Sequence, residues 1–325
     1  MFHNLYVTFT IVFPFMAFLA LGAFLKRIKV LDDAFSSRLN RFLTQVLLPV
    51  NIFNSLYSRD ISAVFRQPSA LYIFLGVAVD IPIIMWIVKH REKDPAKQGA
   101  MVHCGFRTNV MLFALPLAGG IFGHDVPEIT ISLAVVVLVN NLVSVPILEH
   151  YRNLKRKEEG LEIEKSHFSL KALLKDVFTT PLLDGVILGI IWSFLKIPVP
   201  DFCAKVVSDL SAPVVPLAFL ILGSRLRMSH LKANRKNVAF TVLLKTVYLP
   251  AVFMIYPMLA GWNEISLIAV LISFGAPSAV IDYPLTEAYE CDGELAGEFV
   301  SLTSLFSILT LFLFIFGLKQ TGFIS

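Results

Sequence analysis

Gly105-Phe106-Arg107-Thr108-Asn109-Val110-Met111-Leu112-Phe113-Ala114-Leu115-Pro116 and Ser273-Phe274-Gly275-Ala276-Pro277-Ser278-Ala279-Val280-Ile281-Asp282-Tyr283-Pro284 are the two stretches on which the reading of this chain turns. Both sit inside long apolar runs, yet both carry residues that interrupt helices. In the second, Pro277 and Pro284 stand seven residues apart, and in the first Asn109 takes the place of Pro277, seven residues before Pro116. Proline removes a backbone donor and clashes with the preceding turn, so each run is expected to open in its middle. Naked peptide groups at membrane depth are tolerable only where they line a cavity that protein encloses or water fills. The N–H ends of half-helices favour an anion there, and bare carbonyls favour a cation. A plain proline kink would account for one such run; breaks at matching places in two runs point to a ligand.

The two places match because the chain repeats. An offset of 167 or 168 residues lays Pro14 on Pro181, Gly22 on Gly189, Pro49 on Pro216, Pro82 on Pro250 and Pro116 on Pro284. Such a period fixes an architecture before any local detail does. About 20 mostly apolar residues cross a bilayer, and ten runs qualify, near 5–25, 42–58, 70–88, 101–123, 129–149, 179–195, 206–224, 237–260, 265–286 and 297–318. The second, seventh and ninth are the least hydrophobic. Five spans per half is an odd number, so the halves must lie in opposite orientations, as in secondary carriers whose site sits between the repeats near the midplane. The expected fold is therefore all-α and membrane-integral, with ten transmembrane helices in a 5+5 inverted repeat. Residues 1–150 and 179–325 form the halves, and a basic loop over 151–178 joins them.

Composition agrees: of 325 residues 56% are apolar and 16% charged, too few polar groups to coat a soluble particle. The apolar run from Met1 to Leu25 has no basic region before it and no small-x-small cleavage site, and Lys26, Arg27 and Lys29 follow it. It reads as a retained first helix and not as a signal peptide. Cys104, Cys203 and Cys291 form no C-x-x-C pair, so neither a disulfide framework nor a metal site is expected. Loops on one side of the ten-span topology hold 21 of the 28 Lys and Arg, and the other side, with both termini, holds five. That asymmetry puts the basic side in the cytoplasm and both termini outside, in a multi-pass protein of the cell (inner) membrane. The ninth loop departs from the pattern, with Glu287, Glu290, Asp292, Glu294 and Glu298 and no basic residue. Nucleic acid is not an expected partner; membrane lipid is.

Gly105 to Leu117, followed by Phe122-Gly123, resembles the fourth-helix signature of the auxin efflux carrier family, which includes plant PIN-type carriers and bacterial malonate or malate permeases. Leu48-Pro49-Val50-Asn51-Ile52-Phe53, Pro216-Leu217-Ala218-Phe219 with Leu222-Gly223, and Ala276-Pro277-Ser278-Ala279 resemble its second-, seventh- and ninth-helix motifs. Their order and spacing cover nearly the whole chain, and the related bile acid sodium symporters share the ten-helix plan. The resemblance implies that helices 4 and 9 cross around the substrate within a transport domain of helices 3–5 and 8–10. Helices 1, 2, 6 and 7 form a scaffold, often dimeric, past which that domain moves as an elevator. It implies further that Asn109 hydrogen-bonds a substrate carboxylate, that the half-helix ends at Pro116 and Pro277 supply dipoles with Ser278 beside them, and that Asn51 borders the site from the scaffold. The long cytoplasmic loop of many plant members is absent.

Ionisable groups at membrane depth mark function by default. Asp282, in the ninth-helix break, is a candidate for a coupling proton or sodium ion, or else a cap on the following half-helix. Arg107 is within reach of a substrate carboxylate, or else snorkels to the interface. Asp80 is a second coupling candidate, or else the buried partner of Lys245. His103 lies one turn before Arg107, and Asn140 and Asn141 are suited to bonding neighbouring helices. No hydrolase, zinc-protease or nucleotide-binding spacing occurs, so an enzyme is not expected, and no cofactor beyond a coupling H+ or Na+ is. A passive channel or uniporter, a sodium-coupled carrier and a carrier-like sensor are the alternatives to a secondary transporter of a mono- or dicarboxylate.

Overall fold

The structure is a computed structural model that describes residues 2–57, 68–162, 181–226 and 234–324. The part of the expected basic loop beyond residue 162 lies outside the described residues. Fifteen α-helices are present among those residues, and no strand. They are α1 (Phe2–Arg27), α2 (Asp33–Phe42), α3 (Leu48–Leu56), α4 (Ser69–Arg91), α5 (Pro95–Phe106), α6 (Leu115–Phe122), α7 (Pro127–Glu158) and α8 (Pro181–Leu195). The rest are α9 (Asp201–Ser211), α10 (Val214–Ser224), α11 (Arg235–Leu243), α12 (Leu249–Leu259), α13 (Glu264–Gly275), α14 (Asp282–Ala288) and α15 (Gly293–Gln320). Among the described residues six stretches are long and apolar enough to cross a membrane: Leu5–Arg27, Ser69–Arg91, Pro127–Glu158, Asp201–Ser224, Arg235–Leu259 and Gly293–Gln320. Val110–Phe122, Leu183–Leu195 and Glu264–Gly275 are shorter apolar helices.

Prolines decide where these helices change. Three π turns occur among the described residues, Leu43–Leu47, Val110–Ala114 and Leu244–Tyr248, and each runs straight into a Leu-Pro pair: Leu48-Pro49, Leu115-Pro116 and Leu249-Pro250. In a regular α-helix each proline ring would strike the carbonyl four residues back, that of Gln45, Leu112 or Thr246. All three of those residues lie inside the π turns, whose extra residue relieves the clash without ending the helix. Pro14, Pro82 and Pro146, by contrast, sit inside continuous helices.

Close backbone approach fixes two helix pairs. A Cβ on Gly22 would stand 2.1 Å from the Leu220 carbonyl oxygen and one on Gly223 2.0 Å from that of Leu19, so α1 and α10 touch backbone to backbone. A Cβ on Gly185 would stand 2.5 Å from the Pro49 carbonyl oxygen, which brings α8 against α3 in the same way. Without a hydrophobic force between lipid-facing helices, such small-residue contacts supply the packing. The most deeply buried elements are α5, α13 and the π turn before α6.

Loop ends are tied as well. Arg91 donates to the Lys236 carbonyl at 3.1 Å, Lys155 to the Glu290 carbonyl at 3.1 Å, and Arg156 Nε to Glu290 at 3.1 Å. The Asp292 amide donates to the Ala96 carbonyl at 3.1 Å, and its carboxylate caps α15 at the Leu295 amide at 2.9 Å. Within the acidic loop that breaks the charge pattern, Glu290 is thus tied to the basic end of α7.

Candidate functional site

Helix α5 stops at Phe106 because Arg107 is extended, and α13 stops at Gly275 because Ala276 is. The two extended segments cross and pair: Thr108 and Ser278 form an antiparallel bridge, and the Asn109 amide donates to the Pro277 carbonyl at 2.8 Å. The carbonyls orphaned at the helix ends find partners across the crossing. Ser273 would be served by the amide of residue 277, but proline has none, and Thr108 Oγ1 donates to it at 2.9 Å. Ser278 Oγ donates to the Cys104 carbonyl at 2.7 Å, and its own amide donates to Thr303 Oγ1 at 3.1 Å. Asn109 caps the π turn that follows, its Oδ1 accepting from Leu112 N at 3.2 Å.

Charged groups crowd this crossing. Asp282, fully buried at the start of α14, accepts from the Ala279 amide at 3.0 Å, and its other oxygen lies 3.2 Å from Arg107 Nε and 3.6 Å from His103 Nδ1. Arg107 also donates to Ser144 Oγ at 2.5 Å and Asn141 Oδ1 at 3.3 Å. Asn140 Nδ2 reaches the Thr108 carbonyl at 3.4 Å, so both asparagines of α7 brace the break. Lys245, in the third π turn, donates to the Phe106 carbonyl at 3.0 Å and to Thr108 Oγ1 at 2.8 Å.

A cavity of about 970 Å³ opens beside the crossing. Arg107, Thr108, Asn109, Asn140 and Asn141 line its inner end; Ser36 and Asn40 of α2 and Thr44 of the π turn after it line one wall, and Lys26, Asp33 and Arg225 stand at its outer end. Lys26 pairs with Asp33 there. Three buried polar atoms among the lining residues lack a hydrogen-bond partner among the described residues, Asn40 Oδ1, Asn109 Nδ2 and Asn140 Oδ1, and of these only Asn109 Nδ2 is a donor. Asn109 is only 4% exposed, and a buried unpaired donor costs about 1–3 kcal/mol unless a ligand meets it. A guanidinium and a free amide donor side by side suit a carboxylate.

The structure brings Arg107, Asn109 and Asp282 together, with Pro277 and Ser278 bracing the crossing from behind the cavity wall. Pro116 lies seven residues beyond Asn109, buried in α6, where it follows the π turn instead of opening the helix; the second half begins at Asn109. Asn51 does not line the cavity and donates to Asp125 Oδ2 at 2.8 Å. Asp80 is buried, with one oxygen lacking a hydrogen-bond partner among the described residues, and no ion pair within 4.0 Å joins it to Lys245, whose hydrogens go to the broken helix. Thr108, Ser144 and the wall of α2 were not singled out in the sequence. Ser36, Asn40 and Thr44 follow one another at four-residue spacing, a polar stripe that marks one face of a helix. No group of three His, Cys, Asp or Glu able to hold a metal occurs among the described residues.

The family described as Membrane transport protein matches residues 7–315. An uncharacterized transporter of Methanocaldococcus jannaschii is 24% identical over 302 residues, spanning 89% of this chain and 92% of the relative. An uncharacterized transporter of Methanothermobacter thermautotrophicus is 22% identical over 295 residues, spanning 90% of this chain and 92% of that protein.

Proposed function

Because the chain belongs to the membrane transport protein family, whose model covers residues 7–315, we propose that it is a secondary transporter carrying a small mono- or dicarboxylate across the cell (inner) membrane. The observation that carries this reading is the unpaired Asn109 Nδ2 beside Arg107 at the inner end of the cavity. The anion sits between these two residues. Pro277 and Ser278 hold the crossing in shape, Pro116 sets the π turn behind Asn109, and Asn51 stabilises the adjoining wall through Asp125.

The proposed architecture is ten spans in a 5+5 inverted repeat. At an offset of 168 the break at Arg107–Asn109 falls on 275–277, inside the second break. The glycine contacts support the same pairing, since α1 lies on α10 while α8 lies on α3, the relation expected when helices 1 and 6, and 2 and 7, are equivalents. Those four spans form the scaffold, a dimer in the membrane, and the crossed helices ride past it as an elevator. The ties between the loop ends around Arg91, Lys236, Arg156 and Glu290 support one shared, basic side. With that side in the cytoplasm, the cavity is an inward-facing vestibule.

Proton coupling follows from charge. Arg107 and Lys245 balance Asp282 and Asp80 formally, so an entering monoanion leaves the crossing one negative charge in excess. A proton on Asp282, or on Asp80, restores the balance.

Purified protein in liposomes tests the reading with labelled malonate or malate. Asn109→Ala should lower affinity about tenfold, the size of one lost hydrogen bond to a charged group, at an unchanged unfolding temperature. Unchanged uptake and affinity would remove the site from where it is placed here. Saturable counterflow marks a carrier, and flux that rises linearly with concentration marks a channel.

A further inference from the structure

The crossing brings together two helix C-terminal ends, those of α5 and α13. Each carries about half a negative charge in its unsatisfied carbonyls, a setting in which a bare alkali cation would be at home. The Lys245 ammonium occupies it. Its Nζ lies 3.0 Å from the Phe106 carbonyl, the last of α5, and 2.8 Å from Thr108 Oγ1, which hands its own hydrogen to the Ser273 carbonyl near the end of α13. Thus one ammonium serves both helix ends, one directly and one through a hydroxyl. Asp80 and Asp282 are within its electrostatic reach. The side chain is 1% exposed, and a buried ammonium costs several kcal/mol unless such partners surround it.

We propose that Lys245 is a tethered cation: it fills the carbonyl site of the crossing permanently, so that the anion site works without a free sodium ion. This deepens the transporter reading and rests on it for the anion, but the occupancy of the carbonyl site is separable from it. A purely structural lysine would tie the helices without standing in for a mobile ion. The two roles part when the ammonium is removed and space is left behind.

The test uses full-length protein in detergent and compares wild type with Lys245→Ala and Lys245→Met. Wild-type unfolding temperature and malonate affinity should be the same in sodium and in N-methylglucamine buffers. Lys245→Ala should lose malonate affinity about tenfold or more, the scale of a lost charge-assisted hydrogen bond. Sodium or methylammonium should then restore both affinity and thermal stability saturably. Lys245→Met, which fills the space with an apolar chain, should lose affinity without being rescued. Saturable sodium dependence of the wild type overturns the proposal, and that arm decides the matter should the variants fail to fold. A folded Lys245→Ala that keeps its affinity, or that neither cation rescues, also overturns it. The cation-dependent thermal shift of Lys245→Ala needs no anion, so a wild type that binds no carboxylate would sink the transporter reading alone.

Discussion

At the scale of single residues, buried polar groups need partners, and not all of them lie at the crossing. Asp125 shows the cost. It lies between the spanning segments, where burial pushes its carboxyl above the ordinary value of 3.8 and the amide of Asn51 only partly opposes that. A carboxyl raised on folding contributes stability that is complete below 3.8 and lost as the pH rises through the folded value. Detergent-solubilised protein should therefore melt at a higher temperature in mild acid than at neutral pH, and Asp125→Asn should flatten part of that slope. Identical slopes for the two proteins would show that the group plays no such part. Neither Asn51 nor Asp125 disclosed its partner in the sequence, because they stand 74 residues apart and only the packing of α3 against the loop before α7 joins them. Arg107, Asn109 and Asp282 were legible, since charge and amide at a helix break in an apolar run have few structural uses. Lys245 was legible only as an anomaly: its opposite charge suggested Asp80, but carbonyl oxygens carry no signature in a sequence.

At the scale of elements, proline has two outcomes here that the sequence does not tell apart. Pro277 accompanies an open break, while Pro49, Pro116 and Pro250 are absorbed by π turns. A ring four residues from a carbonyl can be accommodated by opening the chain or by widening one turn, and the choice depends on whether the neighbours supply donors for the freed groups. Thr108 and Ser278 supply them at the crossing. Small residues were easier to place by repeat than by contact. Gly22 and Gly189 were visible as equivalents, but their partners were not. The close approach of α1 and α10 yields a direct prediction. Gly223→Ala sets a Cβ 2.0 Å from the Leu19 carbonyl oxygen, a rigid backbone atom, and should destabilise the protein by about 1–3 kcal/mol. Gly317→Ala, where a Cβ would meet nothing within 4 Å, is the control. Equal unfolding temperatures for the two variants would contradict the backbone contact.

At the scale of the whole molecule, hydropathy marks a multi-pass membrane protein because length and apolarity are set by the bilayer, and six stretches among the described residues are long and apolar enough to cross. The proposed sidedness is testable directly. In cells carrying the chain without its three native cysteines, an impermeant thiol reagent should label a cysteine at Lys319 and spare one at Lys157. The reverse pattern would invert the topology and with it the direction in which the cavity faces. In the acidic ninth loop, which spoils a simple count of charges, Glu290 lies against Arg156 of the basic side.

The vestibule has a consequence for voltage. Its rim reaches the exposed Asp33 and its floor is Arg107 and Asn109, so a water-filled path would bring the potential of one compartment close to the crossing. The insulating layer that remains is the short arm Val110–Phe122, about 20 Å at 1.5 Å per residue. Most of the transmembrane field then drops across that arm. On the proposed elevator mechanism, a charge entering the floor would feel little of it, and the work of about 2.3 kcal/mol per unit charge per 100 mV would fall almost wholly on the step that carries the loaded floor past the scaffold.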